Sequence, residues 1–225
     1  MSEPVKPTRR YDSPRRRQQA ADTRRDILGA AARLFTAQGF AATTMAAIAA
    51  EAGVALKTVY LAFETKGGLL RELWHLLLRG DDDNAPVGER QWYQEVLDEP
   101  DASRQLRLNA RNSRVVKERA GPLLAVIRNA APLDLETAAL WERIQREFYA
   151  NQRAIVETLH QKGALAPGLD ETRATDILWT LNHPDVWALL VVVRGWTPEQ
   201  YEQWFGDTSC AQLLSRPSPA GTACS

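Results

Sequence analysis

From Thr23 to Gln38 the apolar residues Ile27, Ala31, Leu34 and Phe35 recur at helical spacing, and Gly39 stands where a left-handed cap would end the run. Thr43 and Thr44 offer hydroxyls to cap a second, short helix that stops near Ala52. Gly53 turns the chain, Leu56–Phe63 predicts a third helix, and a fourth opens near Thr65 and Lys66 and runs through LLRELWHLLLR. After a polar break, GDDDNAPVG at 80–88, helical patterning resumes, with elements predicted at 89–98, 101–119, 121–131, 134–162, 170–193 and 197–214. Gly121-Pro122 reads as the end of one helix and the start of the next. Pro184, in NHPD, predicts a kink or restart. No segment alternates with the two-residue period of a strand and no internal repeat is visible, so the expected class is all-α.

Composition narrows this. With 225 residues, 44% of them apolar and seven of them Trp, the chain can bury a real core. Its longest apolar run, VWALLVVV at 186–193, is far short of a membrane span, and the basic N-terminus lacks the apolar stretch of a secretory signal. The two cysteines, Cys210 and Cys224, are read as free thiols of a cytoplasmic protein. Three consecutive aspartates at 81–83 lack the alternating ligands of a calcium loop, and neither a metal nor a cofactor is expected. Net charge is zero but unevenly spread: residues 1–80 hold 13 Lys and Arg against 7 Asp and Glu, the rest 15 against 21. A basic first third suits contact with a polyanion. Residues 1–22 are too polar to order themselves and read as a flexible basic arm, and 215–225 as a disordered tail.

Two helices joined by a short glycine turn form a helix-turn-helix. An eight-residue helix is too short to persist alone. Packed on a small core of Ile27, Leu34, Phe35, Phe40, Ile48, Ala49, Ala52, Val54, Val59 and Phe63, it can stand rigidly at the surface and enter a major groove. Its outward residues would be Leu56, Lys57, Thr58, Tyr60 and Leu61. The runs A-x-x-L-F-x-x-x-G-F-x-x-T-T (31–44), I-A-x-x-A-G-V (48–54), T-V-Y-x-x-F (58–63) and Lys66 then carry a specific likeness. Over about fifty residues the chain resembles the DNA-binding domain of the tetracycline-repressor (TetR) family. Residues 160–170 and 179–204 look similar, more loosely, to one sub-group of its ligand-binding domains.

The resemblance implies a homodimer that sets two recognition helices into successive major grooves of a near-palindromic operator, with half-sites about 34–36 Å apart. It also implies a C-terminal domain that binds a small effector and moves the DNA heads through the fourth helix. By position, Thr44, Lys57, Thr58, Tyr60 and Lys66 inherit DNA-contact roles. Ala55 stands where a capping serine is frequent, and the reading surface is short of hydrogen-bonding groups. The arm residues Arg9, Arg10, Arg15, Arg16 and Arg17 either compensate on phosphates or the minor groove, or form an ordinary tail. Domain bounds are expected at 1–22 (arm), 23–66 (DNA-binding), 67–214 (effector-binding and dimerisation) and 215–225 (tail).

In the second domain, Trp74, Trp92, Tyr93, Trp141, Phe148, Tyr149, Trp179 and Trp187 are candidates to line a ligand pocket, Trp92, Trp141, Phe148 and Trp179 above all, though aromatics dominate cores and interfaces equally. Asn182 and His183, beside Pro184, either orient a ligand or cap the restarted helix. Arg104, Arg107, Arg111 and Arg114 form one stripe; either it is solvated, or Arg111 or Arg114 turns inward to an anionic effector. The long helices at 134–162 and 170–193 are the expected dimer interface. No nucleophile elbow, metal-spaced His pair or phosphate loop is present, so no enzymatic activity is expected. The remaining rival to an effector-released repressor is a dimeric DNA-binding protein with no effector.

Overall fold

The computed structural model describes residues 14–79 and 87–215, all of whose regular elements are helical. Among them the only β pairing is an isolated bridge between Leu165 and Leu214. No single helix is long and apolar enough to cross a membrane. The chain divides into two compact units, Met1–Leu73 and Trp74–Ser225, later than the expected break after residue 66.

The first unit holds α1 (Pro14–Ala42), α2 (Met45–Glu51), α3 (Leu56–Phe63) and the start of α4 (Lys66–Arg79). α1 begins at Pro14, so residues 14–22 of the expected flexible arm are helical; residues 1–13, with Arg9 and Arg10, lie outside the described ones. The reason is local. Proline suits a first helical turn, Arg, Gln and Ala are good helix formers, and Gln18 Nε2 donates to Asp22 Oδ1 at 3.0 Å. Gly39, at φ 78, breaks α1 as predicted and lets Phe40 fold back so that its ring stacks on Phe35, centroids 5.8 Å apart. Ile27, Phe35, Ile48 and Val59 are completely buried, which ties three helices together, while Leu34, Ala52 and Val54 are only half-buried.

The second unit runs from the end of α4 through α5 (Gln91–Asp98), α6 (Ala102–Ala130), α7 (Leu135–Gln161), α8 (Glu171–Leu181), α9 (Pro184–Trp187) and α10 (Pro198–Leu213). Single 3₁₀ turns precede α5 and α7, and a π-helical turn, Ala188–Val193, follows α9. Side chains cap five of these helices: Asp101, Asp134 and Asp170 accept from the backbone three residues on, His183 caps α9, and Thr197 with Gln200 forms a capping box on α10. α10 lies against α6 through Tyr201 and Phe205, in a core shared with Leu106, Ile155, Leu159 and Leu178.

One boundary differs from expectation. α6 does not stop at Gly121-Pro122 but continues to Ala130. An interior proline costs about 3 kcal/mol. Its buried face, however, carries on in register beyond the proline through Leu123, Leu124 and Ile127, each contributing about 1.5–3 kcal/mol when fully buried, so packing outweighs the break. Pro184 behaves as predicted: α8 ends at Leu181 and α9 restarts with Pro184 in its first turn.

Candidate DNA-reading face and effector cavity

In the first unit, α3 is held from behind. Val59 and Phe63 are buried, and Arg24 of α1 donates to the Ala62 carbonyl (2.8 Å) and to Glu72 Oε2 (2.8 Å) while lying 4.3 Å over the Phe63 ring. That grip leaves Leu56, Lys57, Tyr60 and Leu61 exposed, Leu61 at 76%, with Thr58 half-buried. Five of the residues proposed to read DNA therefore share one helix, four of them facing solvent. Ala55 gives α3 no side-chain cap, as expected. Arg16 and Gln19, near the start of α1, line one shallow groove with Thr58 and Leu61, which places positive charge beside the reader.

Two residues assigned to DNA by position have structural work as well. Thr44 is exposed, and its hydroxyl caps α2 by accepting from Ala47 N at 3.0 Å. Lys66 is half-buried and turned inward. Its ammonium donates to the carbonyls of Phe40 (2.8 Å) and Thr43 (2.9 Å) and sits 4.1 Å above the Phe40 ring. It closes the α1–α2 corner, a role its sequence position did not suggest. Behind it Thr43 is fully buried, its hydroxyl donating to Gly39 O at 2.7 Å.

The second unit encloses a cavity of about 130 Å³. Trp74 and Leu78 of α4, Trp92 and Tyr93 of α5, and Ile144 and Phe148 of α7 make most of its apolar wall. At one side lies a polar cluster that joins three helices. The Asn182 carboxamide oxygen accepts from the Ser113 hydroxyl and from the Lys117 ammonium, Lys117 also donates to Ser113 Oγ, and Asn182 Nδ2 donates to Gln152 Oε1 at 3.2 Å. Lys117 is buried and no carboxylate among the described residues pairs with it; desolvation lowers its pKa from 10.5 to about 7. Two further wall atoms, Asn109 Nδ2 and Gln145 Oε1, are buried without any hydrogen-bond partner.

Of the predicted ligand residues, Trp74, Trp92, Tyr93, Phe148 and Asn182 line this cavity. Arg111 does not: it is exposed on the far side of α6, and the inward-turning arginine is not seen. Arg114 pairs instead with Glu202 (2.6 Å) and Glu118 (2.6 Å). Trp141 is half-buried away from the wall, and Trp179 packs edge-on against His183 (centroids 4.8 Å) and Tyr149 (6.4 Å). His183 caps α9, its Nδ1 accepting from Asp185 N at 3.2 Å; burial, then Lys117 and Arg128, lower its pKa. The two alternatives for the NHPD corner thus divide between neighbours, with His183 as cap and Asn182 in the cavity wall. Lys117, Asn109 and Gln145 were missed. The available signal was periodicity, since Leu106, Asn109, Ser113, Lys117, Ala120 and Leu124 share one buried stripe of α6, an unusual face for a lysine.

Residues 27–73 match the model of bacterial regulatory proteins of the tetR family, a stretch that holds α2, α3 and the core behind them. Over this stretch the chain is similar to the DNA-binding part of that family. The chain is 31% identical over 112 residues to the HTH-type transcriptional regulator AcrR of Shigella flexneri, a match that spans 49% of the chain and 50% of that relative. Among solved structures the chain is similar to NalD of Pseudomonas aeruginosa, described as the secondary repressor of the MexAB-OprM multidrug efflux pump. There the TM-score is 0.68 and identity 21%, over 88% of this chain and 98% of NalD. It is also similar to the transcriptional regulator FadR of Bacillus subtilis in complex with stearoyl-CoA (TM-score 0.67, 17% identity, 83% of this chain and 97% of FadR). At these identities the structural likeness speaks for the fold.

Proposed function

We propose that this chain is a sequence-specific transcriptional regulator, a dimeric repressor that a small molecule releases from its operator. The observation that carries the reading is the reader helix: eight residues, locked from behind by Val59, Phe63 and Arg24, with Lys57, Tyr60 and Leu61 facing outward. Residues Thr44, Leu56, Lys57, Thr58, Tyr60 and Leu61 form the proposed DNA contact, with Lys66 holding the corner behind them and the basic start of α1 on phosphates. The effector site is the cavity walled by Trp92, Phe148 and Asn182. α4 offers the route between functions, because the helix that opens with Lys66 also places Trp74 and Leu78 on the cavity wall.

Dimerisation is assigned to α7 and to the stretch from α8 through the π-helical turn after α9, where Leu189 (58%), Val192 (75%) and Val193 (70%) are left exposed. An isologous two-fold contact would cover them. The cavity favours an effector over a merely dimerising second domain, since a domain built only for packing gains nothing from buried amides without partners. The protein acts in the cytoplasm, at the nucleoid when bound to DNA, and needs no catalytic group.

The test is fluorescence anisotropy with DNA flanking its own coding region, at several salt concentrations, for wild type and Tyr60→Ala. Tight binding to one fragment that the variant loses is the expected result. Equal binding to all fragments, indifferent to Tyr60, would reduce the reading to general DNA binding.

A further inference from the structure

The cavity holds a cation that no carboxylate among the described residues balances. Lys117 is 7% exposed, and its three N–H groups face unequal surroundings. Two are used on Ser113 Oγ and Asn182 Oδ1; for the third there is no oxygen acceptor among the described residues, and the rings of Tyr201 and Phe205 lie 5.3 and 6.0 Å from the nitrogen. Asn109, also 7% exposed, adds a donor, Nδ2, that has no partner. Among the described residues the only carboxylate on the wall, Glu147, is exposed and does not pair with Lys117. Natural interiors rarely leave a charge unpaired and a neighbouring amide unsatisfied on the same wall.

Resting on the reading of this cavity as the effector site, we infer that it is built for a monocyclic aromatic anion, a carboxylate or phenolate, whose oxygen accepts from the Lys117 ammonium and the Asn109 amide. Size and wall agree with this. About 130 Å³ is close to the volume of apolar cavities that hold one benzene ring, and Trp74, Trp92, Tyr93 and Phe148 offer flat faces for it. An aromatic wall also suits an organic cation. The sign of Lys117 decides between them: at about 6 Å and an effective dielectric near 20, a second positive charge would lose roughly a hundredfold in affinity, and an anion would gain it. The ligand's anion supplies the missing counter-charge, and Gln145 Oε1 is left to accept from any hydroxyl on the ring.

The experiment uses the full chain and three probes of one shape, benzoate, benzamide and benzylamine, followed by calorimetry and by tryptophan fluorescence at pH 6.5. Wild type should bind benzoate at least tenfold more tightly than benzamide and should not bind benzylamine. Lys117→Met, which removes a buried charge and should melt at a higher temperature, should lose at least tenfold for benzoate with benzamide unchanged. Asn109→Leu should lose about threefold to tenfold for benzoate alone. Benzamide or benzylamine binding as tightly as benzoate, or binding by none of the three, overturns the inference. Operator binding in the same samples separates the two readings. Release by the neutral or cationic probe only refutes the anion and leaves the regulator standing, whereas loss of Tyr60-dependent DNA binding without any probe refutes the regulator itself.

Discussion

The two units treat their buried polar groups in opposite ways. In the first, Lys66 closes on the carbonyls of Phe40 and Thr43, Thr43 on Gly39, and Arg24 on Ala62 and Glu72. In the second, among the described residues, Asn109, Gln145, Trp179 and Ser209 each keep a buried polar atom without a hydrogen-bond partner, and Lys117 keeps an unpaired charge. A reader of DNA works by presenting one fixed surface, so satisfied donors serve it. A sensor must prefer its bound state, and unmet polar groups around a void give a ligand something to satisfy.

The largest expected effect breaks the comparison on its sensor side. Lys117 has a pKa of about 7 when folded, against about 10.4 for an unfolded chain. Between those values the unfolded state holds the extra proton, so stability rises with pH, by at most about 1.4 kcal/mol per unit, and below pH 7 the burial penalty is present in full. Urea titrations at pH 6, 8 and 9.5 should show this rise in wild type and not in Lys117→Met. On the reader side, Lys66→Met leaves two carbonyls without their cation and should cost about 2 kcal/mol in the same assay. A loss below about 0.5 kcal/mol would mean that the ammonium is free to face DNA after all.

Two smaller changes sharpen the contrast, because they repair places where the reader unit is itself imperfect. Glu64 takes φ 58 in the tight turn between α3 and α4, where Thr65 N donates to Phe63 O at 2.6 Å. Glu64→Gly should relieve that strain and raise stability by about 1 kcal/mol, net of the backbone freedom glycine loses, as read from the melting temperature. Ala55→Ser should add the missing cap of α3, about 0.5–1 kcal/mol, with operator affinity unchanged or tighter. Weaker DNA binding in that variant would place Ala55 against the duplex.

How far the chain was legible follows the range of the forces involved. Local signals served well: the break at Gly39, the cap at Thr44, the missing cap at Ala55 and the restart at Pro184 each follow from one or two residues. Gly121-Pro122 misled because the local cost of proline was visible and the packing of Leu123, Leu124 and Ile127 that outweighs it was not. At Pro14–Asp22, polarity suggested a loose arm, whereas helix propensity and one side-chain bond suffice for helix. The sequence points to Arg111 or Arg114 and not to Lys117, because all three sit on α6 among many charges and only the packing of α8 and α10 decides which face is buried. Asn182 was found since its proline announces the broken helix, and the broken helix turns it inward.

Pro122 has a mechanical consequence. It cannot donate to the carbonyl of Glu118, so the 29-residue shaft of α6 is most compliant one turn after Lys117. Within that turn Arg119 donates to the carbonyls of Leu77 (2.6 Å) and Leu78 (2.7 Å), the last turn of α4. A shaft of uniform stiffness would spread a push at Lys117 over its whole length. One weakened at Pro122 concentrates the bend beside Arg119, and hands it as a tilt to the end of α4.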